Sequence, residues 1–126
     1  MRYIEEAKGF LEEAREEFEK GKEQDNIFLI RDACEKGWNA IVQALNALFV
    51  KKGISPLPRS HRERRIKIRE LEMADERVRD KGFFDRFMAR DHILHERGFC
   101  DGDVIIEEIE SEFEKVESFI KDVEEF

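Results

Sequence analysis

The sequence predicts an all-α protein, an antiparallel up-and-down bundle of four long helices and a shorter one. Three observations predict it. Apolar residues recur at steps of three and four along most of the chain. The two prolines, Pro56 and Pro58, fall in one short segment, so no proline interrupts helix elsewhere. Charged residues make up 43% of the 126 positions and must line solvated faces, and most of the remainder suits helices. One domain over residues 1–126 is expected from this length.

The first helix is expected over about 2–20, with Ile4, Ala7, Leu11, Ala14 and Phe18 as its apolar stripe and Gly21 as its stop. The second is expected over about 26–52, capped by Asp25 or Asn26. Ile27, Ile30, Cys34, Trp38, Ile41, Leu45 and Leu48 form one stripe, and Phe28, several alanines, Val42 and Phe49 cover other sides. A helix apolar on several sides is a central one, so Trp38 reads as a core anchor. Glu35 is the odd residue, a carboxylate beside that stripe. The segment 54–60 is a proline-bearing loop.

The third helix is expected over about 60–80, opened by a Ser60/Glu63 capping box. Its start is basic, with Arg59, Arg62, Arg64, Arg65, Lys67 and Arg69. That cluster can grip phosphates or form a solvated face paired with the acidic first and last helices. The fourth helix, about 83–97, puts Phe83, Phe84, Phe87 and Leu94 on its core face and stops at Gly98. Asp101-Gly102-Asp103 then reads as a turn and cap. The last helix, from about Val104, repeats Ile106, Ile109, Phe113, Val116, Ile120 and Val123 in a seam that packs along another helix.

Net charge is −8, unevenly spread. Residues 59–97 carry twelve basic and nine acidic groups, whereas 98–126 carry two and eleven. Global acidity argues against nucleic-acid binding, but a basic middle third keeps a local patch open. Cys34 and Cys100 lack ligand or disulfide spacing and read as reduced thiols. With no visible signal peptide and no apolar run of roughly 18 residues, no membrane association is expected, and the expected location is the cytoplasm.

The functional signal is Phe83–Phe99, where Arg90 and His95 are separated by four residues. On a straight α-helix residues five apart differ by about 140°, so the two converge only across a groove, by a loosened turn, or through a symmetric copy. Asp91, four before His95, shares its face and can orient the ring. Arg with His suffices for metal-free RNA cleavage. His moves protons at the 2′-hydroxyl and the leaving oxygen, and Arg neutralises charge on the phosphoryl group. A metal site on His92, His95 and Glu96 lacks a convincing third ligand, so neither a metal nor another cofactor is expected.

The chain resembles the HEPN family, named for a nucleotide-binding domain of higher eukaryotes and prokaryotes. The resemblance spans nearly the whole chain and rests on A-C-E-K-G-W-N-A-I-V-Q-A-L and R-D-H-I-L-H. The family hallmark is R-x4-6-H with a polar residue after the Arg, which Asp91 supplies. It implies a helical homodimer whose motifs face a shared cleft, and a metal-independent, toxin-type endoribonuclease. Arg90 and His95 would be catalytic, and Asp91 and Glu35 supporting. In such an enzyme the basic cluster of the third helix, through Arg62, Arg65 and Arg69, is then the part to bind RNA. The alternative the resemblance implies is a non-catalytic nucleotide-binding subunit, or the partner of a small nucleotidyltransferase in a toxin–antitoxin pair. In one such group the motif extends to R-x4-H-x-Y, the Tyr receiving a nucleotide; Arg97 stands at that position here.

Overall fold

Apolar stripes on charged helices have one way to leave water, which is to face one another. The computed structural model describes residues 2–126 and shows that outcome in an all-α bundle. The helices are α1 (Arg2–Glu23), α2 (Ile27–Lys51), α3 (His61–Ala74), α4 (Glu76–Asp80), α5 (Phe83–Arg90) and α6 (Ile106–Glu124). Between α5 and α6 runs a π-helical segment, Asp91–Cys100.

Four strokes make the bundle: α1, α2, α5 with its π continuation, and α6. Successive strokes are antiparallel. Lys36 of α2 pairs with Glu17 of α1 at 3.2 Å. Between α1 and α6 a ladder of Lys8–Glu124, Arg15–Glu117 and Lys22–Glu110 runs in opposite chain directions. The α5–π stroke opposes α6 likewise, through Arg86–Asp122, Arg90–Glu112 and Arg97–Glu108. The short α3 and α4 lie beside this frame, held by Glu72 to the Phe84 amide and by Lys52 to Asp75.

The predicted stripes of the first and last helices are in the core, including Ile4, Leu11, Phe18, Ile109, Phe113 and Ile120. The central helix is α2, where Ala33, Ala40, Ile41, Ala44, Leu45, Leu48 and Phe49 are wholly buried. Its stripe begins later than expected: Ile27 is 44% and Phe28 71% exposed, because both precede the first turn that a neighbour covers. Asn26 is its cap, accepting from the Phe28 and Leu29 amides.

Three boundaries differ from those the sequence suggests. The third predicted helix is two, broken at Asp75. Its Oδ1 accepts from the Arg77 and Val78 amides at 2.9 and 3.4 Å, and its Oδ2 meets Lys52 Nζ at 2.6 Å. A side chain that captures backbone donors ends one helix and starts another. The fourth helix passes Gly98 and closes only at Cys100, in π form. The last begins at Ile106, since Asp103 is drawn to Arg97 at 3.3 Å and does not serve as its cap.

Among the described residues, no helix is long and apolar enough to cross a membrane.

Candidate functional site

The site is built on one face of α2, running from Arg31 to Trp38. Glycines at close approaches let the π segment settle on it. A Cβ added at Gly98 would lie 2.8 Å from Cys34 Sγ and 3.1 Å from the Ile93 carbonyl. One at Gly37 would lie 2.8 Å from the Phe113 ring and 3.4 Å from Leu94. Arg31 closes the segment's end, donating to the Phe99 carbonyl at 2.8 and 3.0 Å and to the Cys100 carbonyl at 3.0 Å. These are carbonyls that a helix end leaves without partners of its own.

His95 projects from the π segment onto this face. Its Nδ1 lies 2.8 Å from Glu35 Oε1, with both side chains about one-quarter exposed (26% and 24%). A carboxylate there accepts the Nδ1 proton and leaves Nε2 as the working atom. The carboxylate that orients the ring is therefore Glu35 of α2, and not Asp91 of the same turn, as the spacing suggested. Asp91 is buried, at 7% exposure. Burial pushes its carboxyl above the usual range, opposed by His61; the Glu96 charge adds to the rise, and His95 and Arg65 act against it.

His61, the first residue of α3, completes the cluster. It stacks on Trp38 at 5.3 Å between centroids and 22° between planes, and on His95 at 5.4 Å and 30°. Phe99 stacks on His95 from another direction at 6.3 Å. Trp38 is 2% exposed and also packs on Phe87, so it is a core anchor that bears two imidazoles on its edge of the core. His61 Nδ1 and Arg64 Nε are buried with no protein partner. Burial lowers the basicity of both groups.

Arg90 takes a different partner. Its Nε lies 2.9 Å from Glu112 Oε2 and its Nη2 3.2 Å from Oε1, with the side chains 8% and 1% exposed. Burial raises the Glu112 carboxyl, and the Arg90 charge opposes that rise. Beside the pair is a cavity of about 370 Å³ lined by Asp85, Arg86, Ala89, Arg90, Lys115 and Ser118. Arg90, the last residue of α5, and His95 of the π segment thus stand five residues apart in the chain, yet their side chains are anchored to different helices.

Of the basic residues on α3, Arg62 is exposed, Arg65 is half-buried, and Arg69 lies over the Phe84 ring at 4.2 Å. Among the described residues the α6 acids pair with α1, α4–α5 loop, α5, π-segment and α6 cations, and with none of the α3 arginines. His92 turns to Glu96 at 3.1 Å, away from His95's partner. Among the described residues no three His, Cys, Asp or Glu side chains gather to hold a metal ion.

Sequence patterning passed over two of these residues. His61 carries no local signal, since it reaches the site only when α3 folds back on Trp38. Glu112 did carry one: it follows Ile109 by three and precedes Val116 by four, a carboxylate inside the apolar seam.

The model of the archaeal PaREP1/PaREP8 family matches residues 2–120. The chain belongs to this family. The comparisons with curated proteins and with solved structures returned no match. For this PaREP1/PaREP8 chain, function must therefore be argued from the imidazole pair, its carboxylates and the arginines around them.

Proposed function

We propose that the protein is a HEPN-like, metal-independent endoribonuclease, with His95 moving the proton and Glu35 fixing its ring. The observation that carries this is the Glu35–His95 hydrogen bond of 2.8 Å, on a ring that remains one-quarter exposed. In this reading the RNA 2′-hydroxyl attacks the adjacent phosphorus and the bond to the 5′-oxygen breaks. One proton leaves the 2′-oxygen and one is delivered to the departing 5′-oxygen. The products are a 2′,3′-cyclic phosphate and a 5′-hydroxyl. Arg62 and Arg65, at the basic start of α3, are the cations to receive the backbone.

Arg90 has two roles open to it. With its guanidinium on Glu112 it is a positioning residue that fixes the start of the π segment. To neutralise a phosphoryl group it must leave Glu112 for the substrate. A two-fold dimer bringing two π segments to one cleft would shorten that path.

The locked Arg90–Glu112 pair favours a second reading, a non-catalytic subunit that binds a nucleotide or docks a small nucleotidyltransferase. One experiment separates the two. Purified protein is incubated with structured RNA in metal-free buffer. Endoribonuclease activity predicts products ending in 2′,3′-cyclic phosphate, lost in His95→Ala. Nucleotide binding with no RNA turnover supports the second reading and sinks the first.

A further inference from the structure

We propose that His61 is the second imidazole of this site, so that His61 and His95 of one protomer take a single phosphodiester between them. This rests on the ribonuclease reading for its chemistry, but the shared anion site stands on the geometry alone.

In-line cleavage has two proton transfers, one at the attacking oxygen and one at the leaving oxygen. A single imidazole serves one of them at a time. The two rings here are 5.4 Å apart and inclined by 30°. Rings stacked at that centroid spacing present their edges along one rim of the stack, where two hydrogen bonds of about 2.8 Å can reach different oxygens of one phosphoryl group. Each ring is held by a different device. His95 is fixed by Glu35 through Nδ1. His61 is pressed against Trp38 with its Nδ1 buried and unpartnered. Both rings are therefore left with Nε2 as the atom for a substrate.

The surroundings distinguish the two. His95, its Nδ1 held by Glu35, presents Nε2 and takes the part of the acid that delivers a proton to the 5′-oxygen. Around His61, burial lowers basicity, with the Arg64, His95 and Arg65 charges acting in the same direction and Asp91 in the other. A neutral imidazole suits the base that takes the 2′-hydroxyl proton. After cleavage His61 holds the proton it took and His95 lacks the one it gave, and exchange with water restores both. Arg65, half-buried and four residues along α3 from His61, shares its helix face and is the cation placed to attract the phosphate. On this assignment a protomer carries its own acid and base, and a dimer is not needed to supply the second.

Two measurements on the whole chain test this. The first follows the Cε1 protons of all three histidines by NMR as cytidine 3′-monophosphate is added. His61 and His95 should shift together with one binding constant, while His92 serves as the exposed reference. A silent His61 overturns the proposal. The second is the pH profile of RNA cleavage. His61→Gln should lower kcat/KM by about 10²-fold or more and remove the ascending acidic limb. His95→Gln should remove the descending limb. Unfolding midpoints of His61→Gln and His61→Asn, read beside their pH profiles, separate lost packing on Trp38, a lowered midpoint with the acidic limb kept, from lost proton transfer, the limb gone. If wild type cleaves RNA and both His61 variants cleave equally well, the ribonuclease reading survives and this proposal falls. If wild type cleaves nothing while both rings answer the nucleotide, the ribonuclease reading falls and the joint site is upheld.

Discussion

Glu35 Oε1 and His95 Nδ1 meet at 2.8 Å across sixty positions of chain. The contact ties the central helix to the π segment. Removing the charge but keeping the shape, in Glu35→Gln, leaves an amide that can accept from Nδ1–H or donate to a bare Nδ1. The ring loses its fixed tautomer. Under the proposed function, RNA cleavage should fall by about 10²-fold or more, with the unfolding midpoint little changed. Equal cleavage rates for Glu35→Gln and wild type would remove Glu35 from the site.

Arg90 and Glu112 are buried as a pair, so removing one strands the other. Glu112→Ala should destabilise the protein by about 3–5 kcal/mol, read by urea unfolding. The double substitution Arg90→Met with Glu112→Leu should recover much of that loss, because neither charge is then left without a partner. A Glu112→Ala loss within about 0.5 kcal/mol, typical of a surface substitution, would mean that the pair opens freely to solvent.

His61 gives a pH dependence of known sign. Its basicity in the folded chain lies below the ordinary value of 6.5, chiefly through burial. The unfolded chain therefore takes up a proton first as pH falls. The stability tied to neutral His61 is complete above pH 6.5 and is lost as pH falls through the lowered folded value. Unfolding of wild type and His61→Gln, compared at about pH 7.5 and about pH 5, should show the wild-type advantage shrinking at the acid end. An advantage that grows on acidification would reverse the sign of the shift.

Gly98 faces Cys34 with no room between them. In Gly98→Ala the new methyl would stand 2.8 Å from Sγ, 3.0 Å from the Cys34 Cβ and 3.1 Å from a backbone oxygen. Overpacking of this kind costs about 1–3 kcal/mol. Adding Cys34→Ala removes the sulfur but not the other two contacts, so rescue should be partial. Full rescue would locate the whole strain at the thiol.

Much of the fold is legible in the sequence because burial dictates spacing. The first helix's Ile4, Leu11 and Phe18 and the last helix's Ile109, Phe113 and Val123 declare their faces. The breaks are harder to read. Asp75 ends a helix by a side-chain capture that looks, in sequence, like one more charge in a charged run. The π geometry after Arg90 depends on how Gly98 and Leu94 fit against Cys34 and Gly37, which is a property of two helices and not of one. The site divides the same way. His95 stands out by the R-x4-H spacing; Glu35 is visible only as a carboxylate beside an apolar stripe, and it is the family resemblance that brings it to the site. His61 could not be singled out, because its partners Trp38 and His95 lie 23 and 34 positions away and only the return of α3 brings them together.

Arg31 closes the π segment by donating to the Phe99 and Cys100 carbonyls. Two turns of α2 beyond it hold, in order, Gly98 at Cys34, His95 at Glu35, Leu94 at Gly37 and His61 at Trp38. Peeling the segment from α2 therefore dismantles the end clasp and the imidazole pair in a single event. In amide hydrogen exchange, residues 91–100 should lose protection with one shared opening rate, so that the ribbon carrying the histidines melts as a unit or not at all.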